Sequence, residues 1–200
     1  MITEKNNNQV NIAGHVVSEP EYSHEVFGEK FYTFYIEIYR NSGSTDIIPT
    51  MISERLIDLN EIYPERTIEV NGQYRSYNRH EDNRNRLVLS VFADEILFPD
   101  IISSQLNKIN LEGYICKPPV YRRTPLGREI ADILLAVNRP YGKSDYIPCI
   151  CWGRNARYVE GLQVGTRFIC TGRIQSRVYE KEGVQRTAYE VSIRSIREVN

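Results

Sequence analysis

Apolar side chains recur at every second position in several stretches of this chain, which is the pattern of half-buried β-strands. DYIPCICWGR, residues 145–154, shows it most sharply. Ile147, Cys149 and Cys151 share one face and read as core, while Tyr146 and Trp152, six residues apart, share the other. Strands are predicted over 10–17, 29–40, 68–77 and 87–96, and again over 109–116, 128–139, 167–179 and 187–199. One more strand follows each of two loops, ending in Asp46 and Asp145. These aspartates read as turn-makers whose side chains bond local backbone N–H groups. Segments 55–62 and 155–162 are each the size of a short helix.

The two series are one pattern written twice. Residues 11–55 align on 110–154 without a gap, matching Asn11 with Asn110, Gly14 with Gly113, Pro49 with Pro148 and Arg55 with Arg154. After a one-residue step, Gly72 falls on Gly172 and Arg86 on Arg186. The boundaries predicted are 1–100 and 105–200, with the junction near 99–106. Strands punctuated by turns, with a helix between the third and fourth, predict small closed barrels. Closure explains Gly72 and Gly172, because tight barrels place glycine where strands bend sharply. The fold class is therefore all-β, as two tandem OB-folds: five-stranded Greek-key barrels, each with one short helix.

Charge divides the repeats. The whole chain is nearly neutral at −1, which by itself argues against a nucleic-acid binder. Residues 1–100, however, hold 9 Lys and Arg against 17 Asp and Glu, and residues 101–200 hold 16 against 9. An acidic half is joined to a basic one, so divided labour is expected. The start, MITEKNNNQV, lacks the regions of a signal peptide, and no apolar run reaches the ~18–20 residues of a membrane span, so a cytosolic protein is expected. The four cysteines (Cys116, Cys149, Cys151, Cys170) contain no C-x-x-C pair and read as buried reduced thiols in strands rather than a zinc site.

Catalysis finds no support. His15, His24 and His80 lie far apart in the acidic half, and no nucleophile elbow, phosphate loop or H-E-x-x-H is present. An enzyme, a metal site and a cofactor are not expected. The basic repeat instead interleaves rings with cations. Tyr141, Tyr146, Trp152 and Tyr179 are accompanied by Arg122, Arg123, Arg139, Lys143, Arg154, Arg173 and Arg177. Flat rings stack bases and cations follow phosphates, which together suit an unpaired nucleic-acid strand. The bland alternative makes Tyr146 and Trp152 barrel core and each arginine a solvated charge.

NKINLEGYICKPP, YRRTPLG, LLAVNRPY, DYIPCICWGR and GRIQSRVYEKEG together resemble the bacterial single-stranded DNA-binding protein family over nearly all of 107–199. The resemblance implies an OB-fold that stacks bases and coats unpaired DNA during replication, recombination and repair. It places the stacking rings on Tyr141, Tyr146, Trp152 and Tyr179, a DNA-contacting cation on Arg154, and the arginine of an R-x-T-P-x-G turn on Arg122. Family members build a working unit from four OB domains, so a homodimer of this two-repeat chain is expected. They also end in a tail with an acidic tip. The present sequence stops at SIREVN, so tail-mediated recruitment is expected to be absent.

The first repeat departs from that pattern. Ser42, Ile47, Ser53 and Arg79 stand where the second has Tyr141, Tyr146, Trp152 and Tyr179. A degenerate binding face is expected there, and a role in assembly or in holding a protein partner. One reservation is QYRSYNRHEDNRNR, where Tyr74, Tyr77, Arg75, Arg79, Arg84 and Arg86 gather and could touch a strand leaving the second repeat. Two rival readings remain: an OB-fold protein-interaction scaffold resembling primosomal accessory proteins, and an RNA binder, since OB-folds accept either nucleic acid.

Overall fold

The computed structural model describes residues 7–81, 84–102 and 106–197. Twelve strands form one continuous sheet in the order β2-β3-β4-β6-β5-β1-β7-β11-β12-β10-β9-β8. The first repeat supplies β1 (Asn8–Val16), β2 (Glu21–Val26), β3 (Glu29–Tyr39), β4 (Thr45–Ser53), β5 (Thr67–Glu81) and β6 (Arg84–Leu97). The second supplies β7 (Asn107–Ile115), β8 (Val120–Arg123), β9 (Glu129–Asn138), β10 (Ser144–Trp152), β11 (Arg167–Lys181) and β12 (Val184–Arg197). The order reads the same from either end. Within each repeat a further pairing, β1 with β3 and β7 with β9, closes the sheet on itself. These are two OB-folds, as the sequence predicts. Residues 103–105 of the expected junction, and the end of the last predicted strand beyond 197, lie outside the described residues.

Alternation sets the cores. Ile12, Phe34, Ile36, Ile48, Ile68 and Val70 are fully buried in the first barrel, and Ile109, Leu135, Ile147, Cys151, Ile174 and Val191 are fully buried in the second. Each such aliphatic or aromatic side chain contributes about 1.5–3 kcal/mol by leaving water. Gly72 and Gly172 sit at matching irregularities in the pairing of β5 with β6 and of β11 with β12. A Cβ at Gly72 would lie 2.1 Å from the Phe92 carbonyl oxygen, and one at Gly172 would lie 2.3 Å from that of Ser192. Backbone approaches backbone there, so only glycine fits.

Two details differ from the sequence reading. Each repeat has a sixth, short strand (β2, β8) that extends the second predicted strand into a hairpin. The helix also survives in one copy only. Residues 154–160 form α1 (Arg154–Glu160), which buries Ala156 and Val159, whereas the first repeat has a single 3-10 turn at Leu59–Glu61. Asp58 accepts a hydrogen bond from the Asn60 N–H at 3.0 Å and starts that turn. Ile62 then leaves it in an extended conformation, two residues before Pro64, which cannot continue a helix.

The repeats meet about a pseudo-twofold axis. β1 and β7 pair antiparallel with Val10 opposite Ile109, which are equivalent positions of the two copies. Around this axis the aspartates read as turn-makers do something else. Asp145 is fully buried and accepts hydrogen bonds from the Ser76 N–H at 2.6 Å and from Arg139 at 2.6 Å. Arg139 also donates to the Ser76 carbonyl at 3.0 Å. Its twin, Asp46, accepts from the Ser176 N–H at 2.8 Å and from Arg40, which reaches the Ser176 carbonyl. Serine side chains complete the frame: Ser76 Oγ accepts from the Tyr146 N–H at 2.7 Å, and Ser176 Oγ from the Ile47 N–H at 3.0 Å. A carboxylate from each repeat thus clasps the backbone of the other.

All four thiols are free; three are buried in strands as expected, whereas Cys116 is half-buried just beyond the end of β7. Cys149, Cys151 and Cys170 are buried, and burial raises Cys151 and Cys170 to about 12, with Cys149 also well above its usual value. They stay protonated at neutral pH and are poor nucleophiles. Iodoacetamide at pH 8 should therefore leave these three unmodified in the native protein and label all four cysteines in denaturant. Rapid native labelling of Cys149 or Cys151, read by peptide mass spectrometry, would contradict the packing.

Candidate nucleic-acid interface

The outer face of the second barrel collects residues from β8, β10 and β11, together with the β9–β10 loop and the start of α1. On β10, Tyr146 and Trp152 are 44% and 40% exposed, while Ile147, Cys149 and Cys151 between them face the core. The core side is already filled, so these rings are not needed there. Register extends the row sideways: Trp152 lies opposite Ile130 on β9, which lies opposite Arg122 on β8. Strands are about 4.8 Å apart, so the indole and the guanidinium start from backbones about 10 Å apart on one face. Arg122 is braced by Asp132 at 2.6 Å.

On the other side of β10, Ile150 pairs with Ser192 of β12, which lies opposite Arg173 of β11. Alternation along β11 then carries Arg177 and Tyr179 onto the same face. The Arg177 guanidinium sits over the half-buried Tyr179 ring, 5.6 Å from its centroid. Tyr141 is almost wholly exposed at the tip of the β9–β10 loop, in a left-handed conformation with φ of 63°. Lys143 is exposed two residues on, and Arg154 is exposed at the start of α1, directly beyond Trp152 and Gly153.

Three of the sequence-predicted cations are committed elsewhere. Arg139 is the partner of Asp145 at the repeat junction. Arg173 stands beside Arg40 and Asp46 at the twin junction; burial and then Arg40 push its guanidinium pKa down, against the pull of Asp46. Arg123 falls on the opposite side of β8 from Arg122, next to Tyr121 and 3.5 Å from Glu129, which α1 also engages through Arg157. The hydrogen bond donated by Tyr121 at 2.7 Å lowers the pKa of Glu129, as do Arg157 and Arg123.

The first repeat lacks rings at the aligned positions but carries others that sequence comparison missed. Phe31 stacks on His24 at 5.0 Å and leans on Phe92 at 5.8 Å. Arg75, Tyr77 and Arg79 alternate along β5 beside them, while Tyr74, grouped with the hairpin from sequence, is fully buried. The Arg-Ser-Tyr-Asn-Arg alternation was the available signal. His24, Phe31 and Phe92 gave none, because their counterparts in the other repeat are Arg123, Ile130 and Ser192.

Residues 106–199 match the single-strand binding protein family. A single-stranded DNA-binding protein of Halalkalibacterium halodurans is 35% identical over 99 residues, which are 46% of this chain and 59% of that protein. Single-stranded DNA-binding protein A of Bacillus subtilis is 38% identical over 88 residues, 40% of this chain and 51% of that one. The chain thus spans between half and three fifths of these relatives. The crystal structure of wild-type single-stranded DNA binding protein from Thermus aquaticus superposes with a TM-score of 0.78 at 18% identity, over 96% of this chain and 93% of that one. The family match is confined to the second repeat; the shared fold covers both.

Proposed function

We propose that the chain binds single-stranded DNA without reading its sequence, through the outer face of the second barrel. Bases stack on Trp152, Tyr146, Tyr179 and Tyr141, and phosphates are gathered by Arg122, Arg177, Lys143 and Arg154. The observation that carries this reading is the pair of half-exposed rings on a strand whose inner face is already full. Arg123, Arg139 and Arg173 hold the frame rather than the strand. Replication, recombination and repair are the processes such binding serves. DNA is favoured over RNA by the names of the relatives matched.

Trp152 is the only tryptophan, so it reports on the site directly. Titration with oligo-dT should lower its fluorescence as a base stacks on the indole. Affinity should fall with salt at a slope of about −0.7 per phosphate neutralised, or about −3 for four cations. Unchanged fluorescence with negligible affinity would favour a protein-interaction scaffold. Tighter binding of a matched RNA oligomer would favour the RNA reading.

A further inference from the structure

β12 carries a cation outside the set that the sequence singled out. Gly172 of β11 lies opposite Ile193, and Thr171 lies opposite Ser195, so Arg194 is the extra residue of a β-bulge and has no partner across the ladder. A bulge bends its strand and re-aims the side chain it carries. Arg194 is exposed, and its backbone carbonyl accepts a hydrogen bond from the Asn155 side-chain amide at 3.2 Å, which fixes it beside α1. The pairing of Ile150 with Ser192, carried two residues on, brings Arg194 alongside Trp152. Trp152 therefore has Arg122 toward one flank and Arg194 toward the other. Asp132 engages Arg122 at 2.6 Å, whereas Arg194 has no carboxylate partner among the described residues.

The outward side of α1 continues the same corner. Ala156 and Val159 turn to the core, so Arg154 and Tyr158, four residues apart, share the crest that faces water. Asn155 ties one flank of the helix to Arg194, and Arg157 ties the other to Glu129. Tyr158 is left 42% exposed, and Arg154 has no carboxylate partner among the described residues. The neighbouring acids are engaged elsewhere: Glu129 by Arg157 and Arg123, Asp132 by Arg122, and Glu190 by Gln175. Glu160, two residues after Tyr158, falls on the far side of the helix. The first repeat keeps the bulge and reverses its charge. Asp94 is the extra residue there and faces Arg75, and a single 3-10 turn stands in place of the helix. We infer that Arg194 and Tyr158 form a further nucleotide subsite of the second barrel, where the strand leaving Trp152 crosses α1 with a phosphate between Arg154 and Arg194 and the next base on Tyr158. This subsite rests on the proposed function and gives the strand's route off the indole.

The test titrates oligo-dT of about 16 nucleotides, the upper reach of one barrel, into the intact chain and its Arg194→Gln, Tyr158→Leu and Tyr158→Phe variants, read by Trp152 quenching. Both positions are exposed, and the equivalent bulge of the first repeat already does without arginine, so the variants fold. Arg194→Gln should weaken binding by about fivefold and make the salt slope shallower by about 0.7, the mark of one lost phosphate contact. Tyr158→Leu should weaken binding by about fivefold or more, as loss of one stacked base requires, and leave the salt slope unchanged. Tyr158→Phe keeps the ring and should stay within about twofold of the parent. Quenching at saturation should persist in all three, because the base on Trp152 is still held. Affinity within about twofold of the parent in both Arg194→Gln and Tyr158→Leu would overturn the subsite. So would a loss in Arg194→Gln at an unchanged salt slope, which marks a disturbed bulge rather than a lost phosphate contact. Equal losses in Tyr158→Phe and Tyr158→Leu would overturn it too, because the ring would then not be the contact. An intact chain whose Trp152 is not quenched would instead count against the proposed function itself.

Discussion

Replacing Asp145 with alanine should lower the unfolding free energy by about 3–5 kcal/mol, as for removal of one partner from a buried ion pair. The side chain is 1% exposed and answers three groups at once: the Ser76 N–H, Arg139 and, at longer range, Arg75. Truncation leaves a buried N–H and two part-buried guanidiniums facing one another with no counter-charge. Asp145→Asn should cost less, because an amide oxygen still accepts from Ser76 while the charge is lost. Asp46→Ala should behave like Asp145→Ala, since Asp46 makes the same contacts with Ser176 and Arg40. Urea unfolding followed by circular dichroism gives these differences. A loss below about 1 kcal/mol for Asp145→Ala, the range of an exposed pair, would mean that water reaches the junction.

Those aspartates mark where local sequence stops being informative. The fold was legible because both of its signals are local or repeated: period-two alternation, and a second copy in which Gly14, Gly72 and Pro49 recur at matching places. The half-exposed rings were legible for the same reason, since Ile147, Cys149 and Cys151 fill one side of β10 and leave Tyr146 and Trp152 on the other. A turn aspartate and one that clasps another domain look alike in sequence. The partner of Asp145 is 69 residues away and that of Asp46 is 130 away. Arg139 was read as a phosphate ligand on the same local grounds and is instead held by Asp145. The helix of the first repeat failed because LIDLNEIYP has the length of a helix while Asp58 and Pro64 confine it to one turn. The ring cluster of the first repeat escaped notice because His24, Phe31 and Phe92 come from three strands and converge only on folding.

The double replacement Tyr146→Ala, Trp152→Ala should weaken binding of single-stranded DNA by about 2–6 kcal/mol, at about 1–3 kcal/mol for each stacked base. That is a loss of about 30-fold at the least. With the reporter indole removed, anisotropy of a labelled oligo-dT is the measurement. Three features separate stacking from its alternatives. The salt slope should match that of the parent, because the rings neutralise no phosphate, whereas Arg122→Ala should make the slope shallower by about 0.7. Stability should change little by comparison with Asp145→Ala, because both rings are already about two-fifths exposed. The two single replacements should add if the rings hold different bases, and fall short of adding if one base lies across both. Retention of affinity to within about twofold in the double variant would remove base stacking from this face, and the cations alone would then have to account for binding.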